Sequence, residues 1–130
     1  MRVLNTEPET RASLAMTVIL LFSSVVPDRP PTDINVFSLG TDTVQIEWSP
    51  VPPEYTNGEV LGFRVLYNDV NDTSRANITV DSQKETRLRI DELRSDTNYS
   101  FQILAFTGKG DGTRSANYFA KTGSFAEINV

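Results

Sequence analysis

The stretch that most constrains this chain is Leu93–Thr107, which reads LRSDTNYSFQILAFT. Tyr99, Phe101, Ile103 and Ala105 alternate with Asn98, Ser100, Gln102 and Leu104. Successive side chains of a strand point to opposite faces, so this period of two predicts a strand with one face in a core. The polar segment before it runs between two apolar anchors, Leu93 and Tyr99. A tyrosine placed at the start of such a strand buries its ring and bonds its hydroxyl to backbone a few residues upstream. Val44, Ile46 and Trp48 alternate in the same way and end at Ser49-Pro50. Trp48 has the largest apolar area of any side chain here and belongs at the centre of the core.

Other segments repeat the pattern. Pro27, Pro30 and Pro31 stiffen the approach to a first strand, because proline fixes φ. On that strand Ile34, Val36 and Leu39 are expected to face inward. The Gly40-Thr41-Asp42 turn leads to Thr43–Ser49, and a proline-rich loop with Asn57-Gly58 leads to Gly62–Val70. There Phe63, Val65 and Tyr67 face in, and Arg64, Leu66 and Asn68 face out. Ala76, Ile78 and Val80 mark the next strand, and Leu88, Ile90 and Leu93 the one after. A glycine-rich hairpin loop follows Thr107. On the last strand Tyr118 and Ala120 face in, and Phe119 and Lys121 face out. Short strands separated by turns in a chain of 130 residues predict an all-β fold, a seven-stranded antiparallel β-sandwich with Greek-key connections. The domain spans 28–123, with a C-terminal linker at 124–130. Residues 1–27 form an N-terminal tail outside it. Within that tail Leu14–Val26 is an uncharged apolar run, shorter than the ~20 residues of a membrane-spanning helix. It reads either as a signal-like segment, with Arg11 before it, or as the end of a preceding module.

Composition removes whole classes of function. The chain has no cysteine and no histidine. Disulfides, cysteine zinc sites, histidine metal ligands and histidine-based catalysis are therefore excluded. The net charge of −5 argues against nucleic acid, whose phosphates need a Lys/Arg surface. No nucleophile has an evident base beside it, and carboxylate pairs such as Asp91-Glu92 are adjacent rather than held across a cleft. The reading is not an enzyme: no cofactor, no metal, no small-molecule substrate and no membrane contact by the domain itself.

Trp48, Leu93, Thr97, Tyr99, Ile103, Ala105, Gly110, Gly112 and Ser115 together resemble the fibronectin type III family. Its pattern is a tryptophan near the end of the second strand, then L-x-P-x-T-x-Y-x-x-x-V-x-A, G-x-G and a serine. Ser95 stands where the family usually has proline. The resemblance runs from about Pro30 to Gly123. It implies an immunoglobulin-like sandwich of fibronectin type III topology and makes Tyr99 a tyrosine corner. The Trp-Ser-Pro, Asn-Gly-Glu-Val-Leu-Gly and Phe-Arg-Val-Leu-Tyr segments look most like repeats of animal cell-surface receptors. The expected function is thus a non-catalytic protein-interaction or spacer module of a larger extracellular adhesion or receptor protein. Its partners would be another protein or neighbouring domains of the same chain. The alternatives are a module of an intracellular, muscle-filament-like array, and an accessory domain of a secreted enzyme.

Three groups of residues are candidates for function. Asn71, Asn77 and Asn98 each begin an N-x-Ser/Thr sequon and are predicted to lie on a turn or point away from the core. Leu66, Leu104, Phe106 and Phe119 fall on outward positions of one sheet and are expected to form an open apolar patch for a partner. Lys109 and Asp111 flank Gly110 in the last hairpin. Some type III repeats present an integrin-binding Arg-Gly-Asp in this loop, which is what the resemblance implies for this pair; the glycines alone also satisfy its turn geometry.

Overall fold

A computed structural model describes residues 25–125. Most of the Leu14–Val26 run and residues 126–130 of the linker lie outside the described residues. The strands are β1 (Thr32–Ser38), β2 (Val44–Ser49), β3 (Val60–Asp69), β4 (Ala76–Val80), β5 (Arg87–Ile90), β6 (Asn98–Thr107), β7 (Gly110–Asp111) and β8 (Tyr118–Lys121). They build two antiparallel sheets, a three-stranded one in the order β1-β2-β5 and a five-stranded one in the order β4-β3-β6-β7, with β8 also on β6. The expected seventh strand is β8; β7 is an additional two-residue strand inside the glycine-rich hairpin loop, and the two pair with different halves of β6.

The alternation seen in the sequence is what fills the space between the sheets. Val44, Ile46 and Trp48 from one sheet meet Phe63, Val65, Phe101, Ile103 and Ala105 from the other, all buried. Trp48 is 4% exposed and meets Phe63 edge-on, with ring centroids 5.2 Å apart, a geometry that aromatic quadrupoles favour. Its indole Nε1 has no hydrogen-bond partner among the described residues. Tyr67 stacks on Phe101 at 5.9 Å; burial, with Tyr99 beside it, pushes its phenol above the usual tyrosine range. Ile34 and Val36 pack against this core. Leu39 does not: it sits past the end of β1, in the turn closed by its N–H donating to Thr43 O at 2.8 Å, and is exposed. Tyr118 is likewise exposed, whereas Ala120 joins the core edge.

The corner before β6 is closed by the group the sequence pointed to. The Arg94 N–H donates to the Tyr99 hydroxyl at 2.9 Å. Thr122 completes it: its hydroxyl donates to Arg94 O at 2.6 Å and accepts from the Thr97 N–H at 2.9 Å. Gly123 bonds Gly40 O at 2.8 Å, so the backbone leaves the sandwich at the pole that holds the β1–β2 turn.

It enters at the opposite pole, and the contacts begin earlier than the expected boundary at residue 28. Val25 O accepts from the Thr107 hydroxyl at 3.1 Å, Val26 O from Asn57 Nδ2 at 3.0 Å, and Pro27 O from the Thr113 N–H at 3.0 Å. Gly112 explains why glycine is needed in this hairpin. A Cβ there would lie 2.7 Å from Pro27 and 2.9 Å from Ala105 O, closer than packed atoms approach.

Two stability measurements follow. Trp48→Ala is expected to cost about 3–5 kcal/mol in denaturant unfolding, whereas Trp48→Phe, which forfeits no hydrogen bond and empties less volume, should cost less. A chain beginning at Asp28 should be less stable than one beginning at Val25 by about 2 kcal/mol, through three lost bonds and the loss of buried Pro27.

Candidate interaction surface

The outer face of the five-stranded sheet carries the residues singled out for a partner, and pairing fixes their rows. Gly62 lies opposite Phe106, Arg64 opposite Leu104, Leu66 opposite Gln102 and Asn68 opposite Ser100. The face divides into two halves of different chemistry.

In the half near the β6–β7 hairpin, Leu66, Leu104 and Phe106 form a small core of their own. They are 8%, 2% and 7% exposed, so the expected open patch is not there. The cover is Arg64. Its guanidinium lies 4.5 Å from the Phe106 ring centroid, its Nε donates to Asp111 Oδ1 at 2.7 Å and its NH1 donates to Thr79 Oγ1 at 3.1 Å. The guanidinium itself lies on the ring as a cation–π contact, held there by its two polar anchors. Phe106 also fills the gap left by Gly62, where a Cβ would come within 3.0 Å of the ring. Asp111, read from sequence as a partner-binding carboxylate, is engaged in this clamp. Lys109 is exposed on the turn, its N–H donating to Thr107 Oγ1 at 3.2 Å.

Phe119 is 62% exposed but stands apart from the other three. It lies opposite Ser100, four residues along β6 from Leu104, roughly 14 Å at strand spacing. The reason is hairpin register. Thr107 pairs with Gly110, and counting back from there sets residue 119 near the start of β6, not beside Phe106.

The half around Phe119 is polar, and sequence reading passed over it. Asn68, Ser100 and Gln102 share its floor, and Arg75 reaches across from the β3–β4 connection. Arg75 Nε donates to Asn68 Oδ1 at 3.1 Å, NH1 donates to Gln102 Oε1, and NH2 donates to Asn117 Oδ1 at 3.4 Å. Ser100 Oγ donates to Asn68 Oδ1 at 3.0 Å, and Gln102 Nε2 to Ser115 O at 2.9 Å. The outward parity of Asn68, Ser100 and Gln102 was the signal available in the sequence. The three sequon asparagines, Asn71, Asn77 and Asn98, are all exposed. On the other sheet Arg89 holds the Asp91 carboxyl below its usual range through a hydrogen bond, partial desolvation opposing it and Thr43 assisting. Among the described residues no cluster of three or more acidic, His or Cys side chains is arranged to hold a metal.

Two packed antiparallel sheets, a buried tryptophan between them and a tyrosine-closed corner define an immunoglobulin-like β-sandwich. The fibronectin type III domain profile matches residues 29–121, and the chain belongs to the fibronectin type III family. It is 37% identical over 98 residues to the cell adhesion molecule DSCAM of Homo sapiens, an alignment covering 75% of this chain and 5% of that protein. With the cell adhesion molecule Dscam2 of Drosophila melanogaster it shares 37% identity over 97 residues, covering 72% of this chain and 5% of that one. The chain therefore spans about one twentieth of these relatives. Among solved structures, the chicken CNTN1 FN1-FN3 domains match with a TM-score of 0.69 at 24% identity, over 75% of this chain and 33% of that one. The third fibronectin III domain of human KIAA0343 protein matches with a TM-score of 0.72 at 19% identity, over 79% and 88%. These two likenesses concern the fold.

The two halves of the face predict opposite outcomes for two phenylalanines. Phe106→Ser should cost about 2–4 kcal/mol, since it empties a buried position. Phe119→Ser should change stability by no more than about 0.5 kcal/mol. Thermal or urea unfolding of both variants measures the contrast.

Proposed function

We propose that this chain is a non-catalytic interaction and spacer module of a larger extracellular or cell-surface adhesion protein. The observation that carries the reading is the path of the backbone: it enters the sandwich beside Thr107 and Thr113 and leaves beside Gly40 and Asp96. Those are opposite poles, because β1 runs the length of its sheet from one to the other. A domain threaded in this way fits in series between neighbours and leaves its sheet faces to the side. The likeness to cell adhesion molecules, in which the aligned part is one short stretch, supports the same reading. Asn71, Asn77 and Asn98 add to it, since each stands on the surface where a sugar can be carried without disturbing the core.

Expression behind a secretion leader in a eukaryotic cell tests it. The secreted domain should lose mass on treatment with an N-glycosidase, and Asn→Gln changes at 71, 77 and 98 should remove the shift in steps. A product of unmodified mass would favour an intracellular structural array.

A further inference from the structure

The polar half of the outer face contains an arginine held by neutral groups. Three arginines elsewhere face a carboxylate: Arg64 faces Asp111, Arg89 faces Asp91 and Arg94 faces Asp69. Arg75 is held by three side-chain amide oxygens, those of Asn68, Gln102 and Asn117. All three are neutral. Asp72, in the same connection, has an oxygen engaged by the Ser74 N–H at 2.9 Å. Arg75 is therefore oriented by neutral partners only, with its charge unmatched among the described residues, on a protein whose net charge is −5. Guanidinium has five N–H donors, and three of them are in use here.

Arg75 lines a shallow, open groove on the sheet face. Val70 and Phe119 also line it, and both are exposed. A guanidinium oriented by its neighbours, with donors to spare, matches a carboxylate. The two apolar residues offer contact area to a side chain beside that carboxylate.

We propose that this groove binds an acidic segment of a protein partner, one whose carboxylate meets Arg75 and whose neighbouring apolar side chain packs on Phe119 and Val70. The proposal rests on the module reading above, and adds to it the surface and the partner's chemistry.

The test is a nitrogen-15 NMR titration of the full chain with two capped peptide amides, Glu-Phe-Glu-Leu and Gln-Phe-Gln-Leu. With the acidic peptide, the Arg75 Nε–H, the Gln102 and Asn117 side-chain amides and the Ser100 and Phe119 backbone amides should shift saturably. The Gln peptide should bind about tenfold more weakly, and added salt should weaken the acidic one. Arg75→Gln should bind the acidic peptide about tenfold more weakly. Phe119→Ser, at an exposed position, should also weaken it and keeps the test decisive if Arg75→Gln is poorly folded. Arg89→Gln, on the other sheet, should bind as the parent does. Equal binding of the two peptides, or shifts confined to another surface, would overturn the proposal. Concentration-dependent self-association that Arg75→Gln abolishes would assign the face to a second copy and also overturn it. A domain that is secreted and glycosylated but shows no shift here keeps the module reading and loses this groove.

Discussion

The structure depends on the pairing of β3 with β6. Both are ten residues long, and their register runs from Val60↔Thr107 to Asp69↔Tyr99. Every other element of the five-stranded sheet is hung on one of these two strands: β4 on β3, and β7 and β8 on opposite halves of β6. The pairing places Phe63 beside Ala105, Val65 beside Ile103 and Tyr67 beside Phe101 on the inner face. Trp48 then has a continuous apolar floor to close over. A slip of one residue would turn this whole set to the outside.

The same pairing produces the second, smaller core. Because β6 is central, its outward residues are flanked on both sides, and long side chains can lie across them. Leu104 and Phe106 end up nearly as sheltered as the inward residues, although they point the other way. Over Phe106 the shelter is one arginine with two polar anchors, Asp111 and Thr79. It ties the β7 hairpin and the β4 edge to the centre of the sheet. Packing on the outer face thus holds together strands that the inner core touches less.

The strands, their parity and the tyrosine-closed corner were legible in the sequence because they rest on local alternation and on one residue, Tyr99, whose two ends have different needs. The burial of Leu66, Leu104 and Phe106 was not, since parity gives direction and says nothing of what lies on top. Only the diagonal closeness of Arg64 to Phe106 across two strands reveals the cover. Phe119 was misplaced for another reason: its position follows from where the hairpin closes, at Thr107 and Gly110, and the residues from Gly112 to Asn117 add an irregular stretch before β8. Arg75 was passed over because it lies outside any strand, and its three oxygens come from three separate segments. Leu39 lost its inward place because β1 ends at Ser38.

The two poles at which backbone enters and leaves set how the domain would respond to tension. A pull applied to its two ends would run along β1 from one end and along β8 from the other. Both strands lie roughly parallel to that pull, and their hydrogen bonds to β2 and β6 lie across it. Such bonds are loaded together, in shear, rather than opened one by one like a zip. At the pulled ends the load falls first on the anchors Val25, Pro27, Thr122 and Gly123. A domain with this geometry resists stretching through short rows of bonds working at once, and the anchors at each pole act as the fuses.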